Sequence, residues 1–151
     1  MDRAAATDKT PLNISLTDAA ALDVDQVLAL YDAVGWTVYT SSPETVSAAL
    51  SGSAAIAVAH AGSELVGLAR VISDGASICY LQDVLVRPAF QRQGIGRRLV
   101  ESVLQPFSHV RQKVLLTDDE AGQKAFYESL GYTQVTDNDG GALRAFARFD
   151  A

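Results

Sequence analysis

A buried strand that leads through a glycine-containing loop straight into a helix is the feature that most constrains the fold of this chain. The run Asp83–Val86 is apolar after its first residue, which is typical of a strand buried on both faces, and Pro88 stops it. Gly94 and Gly96 follow one residue apart, and apolar residues at helical spacing begin beside them. A strand, a short loop and a helix in this order predict an α/β fold with helices on the faces of a sheet.

The remainder of the chain supplies further strands and helices. Strand-like runs occur at Asn13–Leu16, Ala54–His60, Leu65–Ser73, Ile78–Val86, Lys113–Thr117, Tyr132–Val135 and Ala142–Phe149, the last two around a turn at residues 138–141. Helical patterns run from the capping pair Asp23 and Gln26 to Gly35, from Ser42-Pro43 to Gly52, from Gly94 to about Pro106, and from Asp118/Asp119 to Gly131. This order, β-α-α-β-β-β-α-β-α-β-β, predicts the α/β class (α+β by some schemes), with a mixed sheet of six to seven strands flanked by four helices.

Length and composition limit the class of protein. The 151 residues suffice for one domain, and we expect residues 1–12 to form a loose tail ahead of a single domain over residues 13–151. No apolar run reaches the roughly 20 residues that span a bilayer. The N-terminus lacks the apolar core of a signal peptide, and Cys79 is the single cysteine. These features predict a cytoplasmic protein without a membrane partner, and the net charge of −6 argues against a nucleic-acid partner.

The positive charge is concentrated beside the two glycines. Residues 84–100 contain no acid and four arginines, Arg87, Arg92, Arg97 and Arg98. The other eight basic residues face 18 acidic ones, so the rest of the chain carries −10. The unpaired N–H groups of a helix start, next to glycines that let backbone approach a ligand, form an anion site suited to a phosphate or pyrophosphate. A solvated surface is the alternative that charge alone leaves open.

Motif spacing narrows the kind of anion site. There is no G-x-x-x-x-G-K-[ST], and Leu99 stands where G-x-G-x-x-G requires its third glycine. The run Gln91-Arg92-Gln93-Gly94-Ile95-Gly96 instead matches [RQ]-x-x-G-x-[GA], the acetyl-CoA motif of the GNAT superfamily of N-acetyltransferases. The segment Ala125–Tyr132 is similar to the family's A-x-x-[LF]-Y-x-x-x-G-[FY] helix and strand, with the alanine offset. From about Asn13 to Phe149 the chain therefore resembles a small single-domain GNAT member.

The resemblance implies acetyl-CoA as co-substrate. It implies that backbone of the loop binds the pyrophosphate and that one strand pairs with the pantetheine arm as though the arm were an added strand. The residues implied in cofactor binding are Val84, Leu85, Val86, Gln91, Arg92, Gln93, Gly94, Ile95, Gly96 and Arg97. Tyr127 takes the place of the family tyrosine proposed to protonate the leaving thiolate, whereas Glu120 stands where many members have an asparagine. Homodimers are frequent in the family, so a homodimer is also implied.

The general base has two candidates. Asp83 lies on the strand beside the expected thioester and is a catalytic candidate, with a strand-edge carboxylate or salt bridge as an equal alternative. Glu120 is the second candidate, with helix capping as its alternative. His60, His109 and Cys79 are interpreted as structural, and no spacing of His, Cys and Asp predicts a metal site.

Three aromatic residues mark the expected acceptor pocket. The family builds this pocket from its first two helices, where this chain has Tyr31, Trp36 and Tyr39, with Asp32 among them. Aromatic faces and a carboxylate can hold an organic cation, although Tyr31 also lies on the apolar stripe of its helix. This stretch, together with residues 83–86, resembles the small GNATs related to arylalkylamine acetyltransferases.

Four functions remain open at the level of sequence. The first is acetylation of a small-molecule primary amine by direct attack in a ternary complex, and the second is acetylation of a protein or peptide amine. A third is a non-catalytic acyl-CoA-binding regulatory module, against which Tyr127 argues because a pure binder needs no phenol there. A fourth is a toxin acting on charged tRNA, which the negative net charge disfavours.

Overall fold

Five strands in chain order form one mixed sheet. The computed structural model describes residues 11–138 and 141–150, and the chain divides into two compact units that meet in sequence between Leu115 and Leu116. The strands of the first unit are β1 (Leu12–Thr17), β2 (Ala55–Ala61), β3 (Glu64–Ser73), β4 (Ile78–Val86) and β5 (Gln112–Leu115). β1 to β4 pair antiparallel, and β5 pairs parallel to β4. The first five predicted strands are thereby confirmed to within about two residues at each end.

The helices are α1 (Val24–Ala33), α2 (Thr37–Thr40), α3 (Pro43–Ser51), α4 (Ile95–Leu104) and, in the second unit, α5 (Gln123–Ser129). Short 3-10 turns cover Ala19–Ala21, Pro88–Phe90, Gln105–Phe107 and Val135–Asp137. α2 is an additional helix that the sequence pattern did not predict. A single turn of four residues is shorter than the window over which helical periodicity can be read.

The helix ends show which capping predictions hold. The Asp23 side chain accepts a hydrogen bond from the Asp25 N–H at 3.0 Å, but Gln26 accepts from the Leu65 N–H of β3 rather than closing a capping box. Gly35 ends α1 at φ 82°, as predicted. α5 begins behind Gly122 at φ 91° without a side-chain cap from the described residues, so the predicted capping by Asp118/Asp119 is wrong.

Close packing of α4 on the sheet depends on Gly67. A Cβ at Gly67 would lie 2.9 Å from Leu99 Cδ1, 3.1 Å from the Leu85 carbonyl oxygen and 3.3 Å from Ala59 Cβ. Arg70 lies three positions from Gly67 on β3, so its side chain points to the opposite face of the sheet. There it donates to the last turn of α3 and is joined through Asp83 to Tyr31 of α1, so α1 and α3 cover that face. The sheet of the first unit therefore has helices on both faces.

The predicted burial of β4 on both faces is wrong. Cys79, Leu81, Asp83 and Leu85 are buried, whereas the alternate residues are half-buried. α4 lies mainly over β2 and β3, so it leaves the second face of β4 partly uncovered. An apolar run of three residues indicates a strand, but it does not indicate whether helices cover both faces of that strand.

The predicted sheet of six to seven strands is also wrong over the part of the chain that the structure describes, which contains five. Tyr132–Val135 ends in a 3-10 turn, and Ala142–Phe149 has no ladder partner among residues 11–138 and 141–150. The large apolar residues of the latter run, Leu143, Phe146 and Phe149, stand three apart rather than two and are exposed. The turn predicted between these runs includes residues 139–140, which lie outside the described residues, as do residues 1–10 of the predicted tail.

Replacing Gly67 by valine tests the close approach of α4. Valine favours strands, yet its side chain would overlap Leu99 and the Leu85 carbonyl, so we expect the free energy of unfolding to fall by about 1–3 kcal/mol. Urea denaturation measures this loss. Gly52→Ala is the control, because a Cβ there meets only the Ala48 and Ala49 carbonyl oxygens, at 3.4 and 3.8 Å. Equal stability of the Gly67 variant and the wild type would contradict the packing.

Candidate functional site

The loop before α4 presents backbone N–H groups rather than side chains. Gly94 is the N-cap residue of α4 at φ 80°, and Arg92 has φ 63°, in the left-handed region that non-glycine residues rarely adopt. No side chain among the described residues caps this helix, and its first turn contains no acid. The N–H groups of residues 95–97 have no acceptor within the helix, so the start of α4 carries partial positive charge. The strained Arg92 marks the loop as a functional candidate.

The end of β4 next to this loop has an open backbone edge. β5 pairs with Ile78 to Leu81 only, and within the first unit no described strand follows β4 on that side from Gln82 to Val86. On the other edge of the same stretch, Asp83 to Val86 pair with β3, and Gln82 lies at a register shift between Arg70 and Val71. Gln91 Nε2 donates to the Val86 carbonyl oxygen at 3.0 Å and so joins the loop to the strand end. An extended ligand can pair with the free edge as an added strand.

The arginines of the basic segment are not equivalent. Arg87 Nε donates to the Leu65 carbonyl oxygen at 3.0 Å and lies 3.4 Å from Glu64, and Arg97 pairs with Glu101 at 2.9 Å. Arg98 lines an open groove of about 450 Å³ whose other residues are Ile14, Ser15, Leu16, Glu101, Ser102 and Gln105. Arg92 is exposed within the loop itself. Of the four, Arg92 is therefore the best placed to add charge to the loop.

Asp83 is held in a buried ion pair. Its Oδ2 accepts hydrogen bonds from Arg70 Nε at 2.5 Å and from the Tyr31 hydroxyl at 2.7 Å, and only 3% of Asp83 is exposed. Arg70 faces Asp83 directly across the β3–β4 pair. Burial and the Asp83 charge raise the pKa of Tyr31, so its phenol remains a donor. The geometry corresponds to the salt-bridge interpretation of Asp83.

Arg70 is a candidate residue of the site that the sequence patterns do not predict. It is a single charged residue in the middle of the apolar run 65–72, and such a residue needs a counter-charge when it is buried. That signal was present in the sequence. Its partner depends on the register of β3 against β4, which local patterns do not specify.

The three predicted acceptor residues come together. The ring centroid of Tyr31 lies 6.1 Å from that of Trp36 and 5.9 Å from that of Tyr39, with tilted and edge-on geometry. Tyr31 is buried and turns its hydroxyl towards Asp83, whereas Trp36 and Tyr39 are half-buried and Asp32 is exposed. Trp36 and Tyr39 therefore have exposed surface that a ligand can contact, and both pack against the buried ring of Tyr31.

The second unit contains Tyr127 on α5. Its ring packs edge-on against Phe126 at 5.0 Å and Tyr132 at 6.0 Å, and burial raises the pKa of Tyr127. The Tyr132 N–H donates to the Tyr127 carbonyl oxygen at 3.0 Å beyond Gly131, which ends the helix as predicted. Glu120 is exposed and its backbone oxygen accepts from the Gln123 N–H.

The remaining candidates have structural surroundings. His109 Nε2 forms a hydrogen bond with the Gly75 carbonyl oxygen at 2.7 Å, His60 lies half-buried on β2, and Cys79 is buried, which raises its pKa. In the described ranges 11–138 and 141–150, no group of three His, Cys, Asp or Glu residues could hold a metal ion. No helix in those ranges is long and apolar enough to cross a membrane.

Comparisons with known proteins identify the family. The family described as "Acetyltransferase (GNAT) domain" matches residues 26–141. Histone acetyltransferase TAP1 of Glycine max is 33% identical over 138 residues, which cover 83% of this chain and 58% of that protein. A GNAT family acetyltransferase from Streptococcus pneumoniae TIGR4 has a TM-score of 0.75 at 32% identity, covering 92% of this chain and 100% of that chain. This chain belongs to the GNAT acetyltransferase family, as the resemblance predicted.

A more distant structure shares the fold alone. Aminoglycoside N-acetyltransferase AAC(6')-Iy, in complex with CoA, has a TM-score of 0.68 at 14% identity and covers 93% of this chain and 96% of that chain. The Streptococcus pneumoniae protein, which is itself a GNAT family member, shows that the mixed α/β sheet with helices on its faces is the GNAT fold.

Substitution of Asp83 by asparagine tests the buried ion pair. The change leaves Arg70 buried without a counter-charge, so we expect the free energy of unfolding to fall by about 3–5 kcal/mol. Denaturant titration measures the loss. Asp150→Asn is the control, because Asp150 forms a well-exposed pair with Arg148, and such pairs contribute little. If the two variants lose stability equally, Asp83 is not held as described.

Proposed function

We propose that this chain is an N-acetyltransferase that transfers the acetyl group of acetyl-CoA to a primary amine of a small molecule, by direct attack in a ternary complex. The proposal rests on two adjoining features of the first unit: β4 has no described neighbour beyond Leu81 on one edge, and no described side chain caps α4, whose preceding loop has Arg92 and Gly94 at positive φ. Few ligands need both an extended backbone partner and a strong anion site. Acetyl-CoA, with an amide-containing arm joined to a pyrophosphate, has both parts.

The donor side fits this co-substrate residue by residue. Backbone groups from Gln91 to Gly96 are the expected partners of the pyrophosphate, apart from the Gln91 N–H, which already donates to the Pro88 carbonyl oxygen. The exposed Arg92 adds positive charge there. The backbone of Val84, Leu85 and Val86 is the expected partner of the pantetheine amides. AAC(6')-Iy, which has the same fold, is in complex with CoA, and this supports CoA as a ligand of the fold.

The proposed acetyl transfer needs few side chains of the protein. Acetyl-CoA supplies a thioester: the amine nitrogen forms a bond to its carbonyl carbon, and the carbon–sulfur bond breaks. An N–H on the free edge of β4 donates to the carbonyl oxygen as negative charge develops on it. By the family resemblance, Tyr127 is the acid that gives its phenolic proton to the leaving thiolate and regains a proton from solvent. Burial raises the pKa of Tyr127, so the phenol is protonated before the reaction. The attacking amine releases its proton to solvent, since the Asp83 carboxylate is occupied by Arg70 and Tyr31.

The acceptor side favours an amine with an apolar or aromatic body. Trp36 and Tyr39 offer half-buried aromatic faces, and the exposed Asp32 adds negative charge nearby. Such a surface attracts an organic ammonium by stacking and charge. A bisubstrate complex of AAC(6')-Iy with CoA-S-monomethyl-acetylneamine supports small-molecule acceptors on this fold.

A protein amine is the second candidate acceptor. It is favoured by the relative named as a histone acetyltransferase, of which this chain spans 58%. A homodimer and a cytoplasmic location also stay predictions of the sequence; one relative, from Arabidopsis thaliana, is named as chloroplastic. A panel of aryl-alkyl amines, polyamines, amino acids and histone-tail peptides separates the two acceptor classes by their kcat/KM values.

Removal of the Tyr127 hydroxyl tests the proposed acid. In assays of thiol release from acetyl-CoA, we expect Tyr127→Phe to lower kcat by about 100-fold or more while acetyl-CoA binding persists, because only proton donation is lost. Tyr132→Phe is the matched control in the same unit and should keep kcat near the wild-type value. An unchanged kcat in Tyr127→Phe would contradict the role. Tight acetyl-CoA binding by the wild type without turnover on any amine would favour a regulatory module, and absence of binding would refute the proposal.

A further inference from the structure

We propose that Arg70 is a positioning residue for the acceptor side of the site. Through its ion pair with Asp83 it fixes Tyr31, and through Tyr31 it fixes the half-exposed aromatic residues Trp36 and Tyr39. The part of this proposal that concerns substrate rests on the proposed function. The part that concerns the orientation of Trp36 is independent of any activity.

Arg70 joins two helices to the sheet. Its Nε bonds to Asp83, whose same oxygen accepts the hydroxyl of Tyr31 on α1. Its Nη1 lies 3.4 Å from the Ala49 carbonyl oxygen, in the last turn of α3, and 3.4 Å from Ser53 Oγ. A cation at the C-terminal end of a helix meets free carbonyl oxygens and the negative end of the helix dipole. Arg70 is thereby bonded directly to the end of α3 and, through Asp83, to Tyr31 of α1. These two helices flank the segment 34–42.

The backbone at the end of α1 fixes the position of Trp36 relative to Tyr31. The Trp36 N–H donates to the Tyr31 carbonyl oxygen and the Gly35 N–H to the Asp32 carbonyl oxygen, both at 3.0 Å, with Gly35 at φ 82°. These two bonds form a Schellman motif, which brings the residue after the glycine against the residue three positions inside the helix end. Trp36 consequently packs on the Tyr31 ring, and Tyr39 packs edge-on against the same ring.

Directionality distinguishes this arrangement from simple packing. A buried ion pair contributes little net stability compared with apolar residues of the same volume. Its hydrogen bonds, however, fix the direction of the Tyr31 ring, since the hydroxyl must reach Asp83. Loss of that hydroxyl alone preserves the volume of the ring, so Tyr31→Phe separates orientation from packing.

The chain contains its own reporter for the test. Trp36 is the only tryptophan, so intrinsic emission and its quenching by acrylamide report on this one position. We expect Tyr31→Phe and Arg70→Met to increase quenching of Trp36. Quenching of Trp36 in Arg70→Lys should be intermediate between those two variants and the wild type, because a lysine keeps the charge but lacks the planar fork of donors. Arg148→Met, at an exposed ion pair, is the control and should leave emission and kinetics unchanged.

Kinetics supply the second readout. We expect Tyr31→Phe to raise the KM of the amine by about 3- to 10-fold, the factor that corresponds to one buried hydrogen bond, with little change in the KM and Kd of acetyl-CoA. Tyr31→Phe combined with Arg70→Met should raise the amine KM no further than Arg70→Met alone, because both act through Asp83. Retained acetyl-CoA binding shows that each variant is folded.

The outcomes are distinguishable. Unchanged Trp36 quenching and unchanged amine KM in Tyr31→Phe would overturn the proposal, even if thermal stability fell. If Arg70→Met fails to fold, Tyr31→Phe carries the test alone. If the wild type acetylates no amine, the proposed function fails, yet Trp36 quenching in Tyr31→Phe still supports or overturns the positioning role.

Discussion

The carboxylate of Asp83 is the point at which α1, β3 and β4 are joined. It accepts from Arg70 and from Tyr31, and all three groups are withdrawn from solvent. A buried charge without a partner costs several kcal/mol, so these residues keep a fixed register between the two strands and a fixed contact with α1. The aromatic surface at the end of α1 depends on that contact, and the free stretch of β4 begins beside Asp83. The ion pair therefore stabilises both the donor side and the acceptor side of the proposed site, although Asp83 and Arg70 take no part in the reaction.

The donor side depends on backbone rather than side chains. Within the first unit, no described strand lies beside β4 from Gln82 to Val86 because β5 is short, and no described side chain caps α4, whose N-cap residue is Gly94. Both features present backbone groups that need partners. A ligand that is extended at one end and anionic at the other satisfies them together, which is why the two features are more informative jointly than either alone.

Most of the fold could be predicted from the sequence because its signals are local. Turn residues such as Gly62 and Asp74 delimit the strands, and the motif around Gly94 identifies the loop. The failures concern non-local contacts: the partner of Asp83 depends on strand register, the burial of β4 depends on where α4 lies, and residues 142–149 need a neighbouring strand that no local pattern supplies. Trp36 and Tyr39 lie close to Tyr31, as their spacing in the sequence indicated, because all three stand between residues 31 and 39 around the end of α1. The sequence does show Arg70 as a charged residue in an apolar strand, but it does not show that Asp83 is its partner.

Binding of acetyl-CoA at the start of α4 can be measured by calorimetric titration of three proteins: the wild type, Gly94→Ala and Gly94→Glu. A Cβ at Gly94 meets no atom within 4 Å, so both variants carry the same backbone strain, and only glutamate brings a carboxylate to the start of α4. We expect the wild type to bind, Gly94→Ala to bind more weakly and Gly94→Glu not to bind, with all three proteins folded. Equal affinity in the wild type and Gly94→Glu would contradict binding at the start of α4.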